Sequence, residues 1–270
     1  VGTLSGESGA LAWLYPNSSL NINQASDATF AGTIKDNTSG SIVKTGSGTL
    51  TLSGSNTYQG STTVSAGTLS LASNNAISNS NAMNVASGAN LDIGGTTQTI
   101  GTLSGSGNIN LGSGSGALTV SQRTFSGYSG IIGGTGSFTK SGPGVLRLNA
   151  GNTYSGSTTI AGGEIIIGIS DALPTTSAIS FTGASTRLLM LEQNISQAFT
   201  SLTSSSGLSG ISIFGYGTNS FNLNQSVSSN FYGGLLGTFN FVKNGIGTIT
   251  MHGTRSARET LNAGGINSGI

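Results

Sequence analysis

The sequence repeats itself, and a repeat on two scales constrains this chain more than any single residue does. The segment Gly46-Ser-Gly-Thr-Leu-Thr-Leu-Ser-Gly-Ser-Asn-Thr-Tyr58-Gln-Gly-Ser-Thr-Thr-Val64 returns as Gly142-Pro-Gly-Val-Leu-Arg-Leu-Asn-Ala-Gly-Asn-Thr-Tyr154-Ser-Gly-Ser-Thr-Thr-Ile160. The two tyrosines stand about 96 positions apart. Upstream, Thr29-Phe30-Ala31-Gly32 matches Thr124-Phe125-Ser126-Gly127 and, less closely, Asn230-Phe231-Tyr232-Gly233. Lys44, Lys140 and Lys243 then fall at equivalent places. A third copy begins at Gly245 and departs from the motif after Gly253. These matches divide the chain into a partial leading repeat at 1–28, repeats at 29–123 and 124–229, and a partial repeat at 230–270.

A shorter period lies inside the long one. Leu50, Leu69, Leu91 and Leu111 recur at steps of roughly 20 residues. Each sits in a short block that alternates apolar with polar, such as Thr49-Leu-Thr-Leu52 or Asn90-Leu-Asp-Ile93. Alternation of two is the strand period, and it points Leu, Ile and Val inward and Thr, Ser and Asn outward. Gly, Asn and Ser mark the turns between blocks.

The expected fold is all-β: a single-stranded right-handed parallel β-helix, or β-solenoid, with roughly 20 residues per coil, continuous over 1–270. About 13 coils spaced about 4.8 Å apart would make a rod on the order of 60 Å long. A sandwich or barrel gives short strands too, but no reason for a period near 20. Helical repeats are excluded by the Gly, Thr and Ser in every apolar block. The stretch from Asp171 to Gln225 keeps the spacing and loses the motif. There Leu188-Leu-Met-Leu191 reads as larger core residues in a wider coil, with an exposed adhesive face as the alternative.

Composition removes several function classes. Charged residues are 6% of the chain, and the net charge is +1. Phosphate neutralisation needs clustered Lys and Arg, so no nucleic-acid partner is expected. No run of about 18 apolar residues marks a membrane span. Val1-Gly2-Thr3-Leu4 lacks a basic region, so no signal peptide is read there. There is no Cys, which excludes a disulfide scaffold and thiolate metal sites. It fits a surface protein exported unfolded.

Catalytic chemistry is sparse. His252, the single His, lies at an expected turn with no marked nucleophile or carboxylate partner, and reads as a surface or turn residue. The eight acids are scattered, and only Glu164, Asp171 and Glu192 approach the spacing of one coil. Gly133-Gly-Thr-Gly136-Ser-Phe138 resembles a calcium nonapeptide, but Phe138 stands where the ligating Asp is needed. Pairs such as Gly105-Ser-Gly107 open no helix and cradle no phosphate. No cofactor, metal site or catalytic residue is expected.

The Asn-Thr-Tyr segments are the strongest signal outside the core. Asn56, Tyr58, Asn152 and Tyr154 are candidate exposed contacts for glycans or a host surface. The alternative is structural: Asn in a left-handed turn, with Tyr capping a corner of the coil. Trp13, in Leu11-Ala-Trp13-Leu-Tyr15-Pro16, is expected in the core or as a cap. The chain begins and ends inside a repeat, so its ends are candidate assembly surfaces. The residues concerned are Val1, Leu4 and Trp13 at one end and Arg255, Arg258, Ile266 and Ile270 at the other.

The repeat resembles the passenger-associated transport repeat of bacterial autotransporters, also described as the autotransporter-associated β-strand repeat. Positions 30–71 and 125–167 resemble it closely, and 228–266 weakly. The linking segment Gly88-Ala-Asn-Leu-Asp-Ile93 to Gly105 resembles the stretch C-terminal to the repeat in such proteins. The resemblance implies a β-helical passenger that crosses the outer membrane through a C-terminal translocator barrel, by type V secretion, and acts at the cell surface. That barrel is not among these residues, and the membrane is met only through it. The leading functional expectation is a non-enzymatic structural and adhesive stalk with a host-cell or glycan surface as partner. One alternative is a head-to-tail filament, with the chain itself as partner through open β-helix ends. A second is a carbohydrate-binding or carbohydrate-active groove along one sheet.

Overall fold

The computed structural model describes every residue except 79–81, 191, 193, 255–257, 262–264 and 269–270, and leaves the side chains of 258–261, 265, 267 and 268 undescribed. It is a parallel β-solenoid of about 11 turns with roughly 21 residues per turn. The described residues contain no helix. They form two compact units, one of residues 1–121 and 126–137 and one of 122–125 and 138–270.

In the first unit, one sheet stacks Ala28–Phe30, Thr49–Leu52, Thr68–Leu71, Asn90–Asp92, Asn108–Asn110 and Ile132–Gly133 in sequence order. A second stacks Ser19–Asn23, Ser41–Thr45, Thr62–Val64, Met83–Val85, Leu103–Gly105 and Ser126–Tyr128. Thr97–Ile100 pairs with Ala117–Ser121, and Leu11–Leu14 with Thr33–Asp36. All these pairs are parallel. Register places like residues over one another: Leu50 on Leu69, Leu69 on Leu91, Leu91 on Ile109. Each of these four is buried. The polar partners Thr51 and Ser70 stack outside them. Alternation therefore fixes the register, because a slip by one residue would put the whole ladder in water.

The second unit repeats the plan. Val145–Leu148, Glu164–Ile167, Arg187–Met190, Ser212–Gly215 and Gly234–Gly237 form one face. A second face holds Thr158–Ile160, Ala178–Phe181 and Ser201–Ser204. A third holds Ser196–Phe199, Ser220–Asn224, Asn240–Asn244 and Arg258–Leu261. The core here is more aromatic: Phe199 meets Phe221 at 6.1 Å between ring centroids, and Phe221 meets Phe239 at 5.2 Å. The sequence step between stacked residues varies in this unit, from Arg187 over Ser212 at 25 to Ser220 over Asn240 at 20. Ile195 bonds Asn219 across 24 positions, and Ser229 bonds Leu202 across 27.

Of the apolar block Leu188 to Leu191 in the divergent stretch, the last residue lies outside the described residues and the other three divide between inside and outside. Leu188 and Met190 are fully buried, whereas Leu189 points outward beside Phe214 and Leu236.

Candidate functional site

The repeat motif places a lysine on the inner face. In Ser41–Thr45, Ile42 and Lys44 point inward and Val43 outward. Lys44 is completely buried, as are Lys140 and Lys243. Among the described residues neither Lys44 nor Lys140 forms an ion pair with a carboxylate. Instead the Lys44 Nζ donates to the carbonyl oxygens of Thr45 at 3.0 Å, Gly46 at 2.9 Å and Ala66 at 2.9 Å. Lys140 donates to Ser141 at 2.8 Å, Gly142 at 2.9 Å and Gly162 at 2.9 Å. Lys243 donates to Asn244 and Gly245 at 2.6 and 2.8 Å. An ammonium has three donors, and the cage offers Lys44 and Lys140 three acceptors each.

The Gly that comes two positions later explains the cage. Gly46, Gly142 and Gly245 have φ of 76°, 73° and 77°. That left-handed conformation is cheap only for Gly, and it lets the chain turn so that consecutive carbonyls aim at the amine. The third carbonyl, from Ala66 or Gly162, belongs to the next coil, 22 residues on. Each of these two lysines therefore ties two coils together.

The Asn-Thr-Tyr segments are not an exposed contact surface. Asn56 and Asn152 are 3% and 5% exposed, and Tyr58 and Tyr154 are completely buried. The strand-like alternation continues through the expected turn: Ser55, Thr57 and Gln59 are exposed, with Asn56 and Tyr58 between them turned inward. The backbone is stacked on both neighbours, since Thr57 N donates to Ile34 O and Asn56 N to Ala76 O. Neither Asn has a left-handed φ, so the expected turn conformation is absent as well. The Asn56 side chain instead bridges three coils. It accepts from Ile34 N at 2.7 Å and donates to Gly54 O at 3.2 Å and Ala76 O at 2.7 Å. Asn152 donates equally to Ala150 and Ala172. The Tyr58 hydroxyl bonds Thr62 Oγ1 at 2.5 Å, and Tyr154 bonds Thr158 at 2.6 Å.

The same device continues outside the motif. Gln98 accepts from Ala76 N and donates to Ser73 O. Gln197 accepts from Leu173 N and donates to Leu173 O. Asn219 accepts from Ile195 N and donates to Met190 O. A buried amide carries both a donor and an acceptor, so one side chain satisfies the backbone where the sheet pattern breaks. Sequence reasoning missed the lysine cage and this amide series. The signal available was the alternation itself, which counts Lys44, Asn56 and Tyr58 as inward positions.

Burial has an electrostatic consequence. It lowers the Lys140 amine from 10.5 to about 8 against an opposing pull from Glu164, and lowers Lys44 and Lys243 in the same direction. Burial raises Tyr128 and Tyr154 above 10.0. The signs differ. Between about pH 8 and 10.5 the unfolded chain holds lysine protons that the folded chain sheds, so stability rises with pH. Above about pH 10 the unfolded tyrosines ionise and the folded ones do not, so stability falls. Urea midpoints at pH 7.5, 9.5 and 11 are expected to peak at 9.5.

The candidate end residues are scattered in character. Val1 is exposed and its ammonium donates to Asn21 O, while Leu4 is half-buried with its N–H on Gln24. Trp13 is 48% exposed. It lies on the outer side of its strand because Leu14 takes the inward position, so it is not a core residue. Arg258 lies in the strand Arg258–Leu261, and Ile266 is half-buried in Gly265–Ser268. Arg255 and Ile270 lie outside the described residues.

Surface chemistry is thin. Glu192 pairs with Arg147 at 2.6 Å and Glu164 with Arg187 at 3.4 Å, both partly exposed. His252 stacks on Tyr232 with ring centroids 4.1 Å apart and contacts Asn230 Oδ1 at 3.2 Å. Among the described residues no three His, Asp or Glu gather as a metal site would require.

The passenger-associated-transport-repeat family matches residues 42–71 and 138–167, the two segments that hold Lys44 and Lys140 and the buried Asn and Tyr. The chain is 33% identical over 175 residues to an autotransporter, the adhesin BmaC of Brucella suis. The similarity takes in 61% of this chain and 5% of that much longer protein. No solved structure matches.

Proposed function

We propose that this chain, which carries two passenger-associated transport repeats and resembles part of an autotransporter adhesin, serves as a non-enzymatic, surface-displayed adhesive stalk segment. The observation that carries this reading is where the repeat spends its polar residues. Lys44, Asn56 and Tyr58, with Lys140, Asn152 and Tyr154, all turn inward to join coils. Residues repeated for that purpose serve the scaffold, and none is left facing a substrate. The similarity to an adhesin supports an extracellular setting on the outer face of a bacterial outer membrane. Two clefts among the described residues fit this reading: the one between Asn90 and Gly134 holds a single carboxylate, Asp92, and the one beside Phe214 holds none. Paired carboxylates are what glycoside hydrolysis needs.

Displaying the chain on a non-adherent bacterium through a translocator barrel tests this. The expected result is protease-accessible protein at the surface and adherence to cultured epithelial cells above that of the empty barrel. Surface display with adherence equal to the empty barrel would count against the adhesive part, and turnover of a polysaccharide by the purified chain against the non-enzymatic part.

A further inference from the structure

The first unit carries an outward-facing polar cleft that the stalk reading does not use. It lies on the sheet formed by Thr68–Leu71, Asn90–Asp92, Asn108–Asn110 and Ile132–Gly133. Register puts Asn90 between Thr68 and Asn108, and Asp92 between Ser70 and Asn110. One coil earlier the outer positions carry the short hydroxyls of Thr68 and Ser70. Here they carry longer amides and a carboxylate. Together with Ile131, 44% exposed, and Gly134, these side chains enclose about 450 Å³.

Hydrogen bonds fix which atoms face the cleft. Asp92 Oδ1 accepts from Gly94 N at 2.9 Å and from Asn110 Nδ2 at 3.2 Å. Asn110 Oδ1 accepts from Gly112 N at 3.0 Å. Asn108 Oδ1 accepts from Ile131 N at 3.3 Å. Among the described residues this leaves three groups without a protein partner: Asp92 Oδ2, Asn108 Nδ2 and the whole Asn90 amide. A cation would need converging oxygens. Three of the oxygens available here are already turned to backbone N–H groups, and an amide N–H donor stands beside them. An anion would meet Asp92. A carboxylate acceptor beside amide donors matches neighbouring hydroxyls, each of which both donates and accepts. Ile131 supplies an apolar wall for the C–H face of a ring.

We propose that this cleft is a binding subsite for a neutral saccharide unit, with Asp92, Asn90 and Asn108 as its hydrogen-bonding groups and Ile131 as its apolar wall. The open, shallow shape and few contacts set the affinity for one sugar ring on the order of millimolar. The subsite goes beyond the stalk reading, which stands whether or not a sugar binds here.

Saturation-transfer difference NMR on the full chain, with ligand in large excess over protein, tests it. The probes are the methyl glycosides of glucose, galactose, mannose and N-acetylglucosamine. At least one is expected to show transfer. Asn90→Ala removes an amide that makes no hydrogen bond, so the fold has no reason to change. Asp92→Asn keeps the Oδ1 acceptor and turns the free acceptor into a donor. Each is expected to weaken binding at least about five-fold. Trp13→Ala removes the exposed ring that is the rival sugar platform, and is expected to change nothing. Any of four results overturns the proposal: no transfer to any of the four glycosides, binding unchanged in both Asn90→Ala and Asp92→Asn, binding lost in Trp13→Ala, or displacement of the sugar by calcium chloride.

Discussion

Lys140→Met is expected to lower the stability of the second unit by roughly 2 kcal/mol, although it replaces a charge with an apolar side chain of similar length. Hydrophobic replacement of a buried charge is often neutral when both partners are replaced together. Here the partners are the backbone carbonyls of Ser141, Gly142 and Gly162, and no side-chain substitution removes them. Methionine takes the lysine donor from the part-buried carbonyls of Gly142 and Gly162, each costing about 1 kcal/mol or more, while Ser141 O keeps its bond from Gln122 N. The desolvation penalty that the ammonium no longer bears offsets part of this. Lys44→Met is expected to do the same to the first unit through Thr45, Gly46 and Ala66. Urea unfolding of single and double variants measures it. Because the two lysines lie in different units and share no partner, their effects are expected to add.

Gly54→Ala is the second large effect, and it works through close backbone approach. A Cβ on Gly54 would lie 1.9 Å from the carbonyl oxygen of Gly32, one coil earlier. That oxygen belongs to the backbone and cannot swing aside. The coils must separate, which loosens the Asn56 amide bridge two residues away. The expected cost is roughly 3 kcal/mol. Gly2→Ala, where a Cβ meets nothing within 4 Å, is the control and is expected to be neutral. The comparison separates crowding from the effect of the added methyl on chain propensity, since both substitutions are the same chemical change.

The fold was legible because it is written as periodicity. Leu50, Leu69 and Leu91 stack as their spacing predicts, whereas the next place on Leu91 is taken by Ile109 and not by Leu111. The aromatic packing of the divergent stretch was not legible, since Phe199, Phe221 and Phe239 meet only once their coils are stacked. The polar interior was misread for a different reason. Lys, Asn and Tyr are usually placed at the surface by type, and Asn-Thr-Tyr resembles turn chemistry. What decides their place is the alternation, which runs unbroken from Ser55 through Gln59, together with backbone groups that need partners where the sheets bend. A lysine whose acceptors are carbonyls leaves no mark in the sequence beyond the glycine that aims them. The cleft around Asp92 was also hidden, because Asn90, Asn108 and Ile131 lie on three different coils.

Amine labelling of the folded chain tests the central claim, that the polar residues of the repeat are internal ties between coils. The chain has four lysines, of which Lys35 is exposed and Lys44, Lys140 and Lys243 are buried. Their lowered proton affinity would make the buried amines the more reactive ones if reagent could reach them, so protection can come only from burial. Brief treatment with an acetylating ester at pH 8, with peptide mapping afterwards, is expected to modify Lys35 and the Val1 amine and to spare the other three until the chain is unfolded in urea. Labelling of Lys44 and Lys140 in the folded chain at the rate of Lys35 would contradict the account.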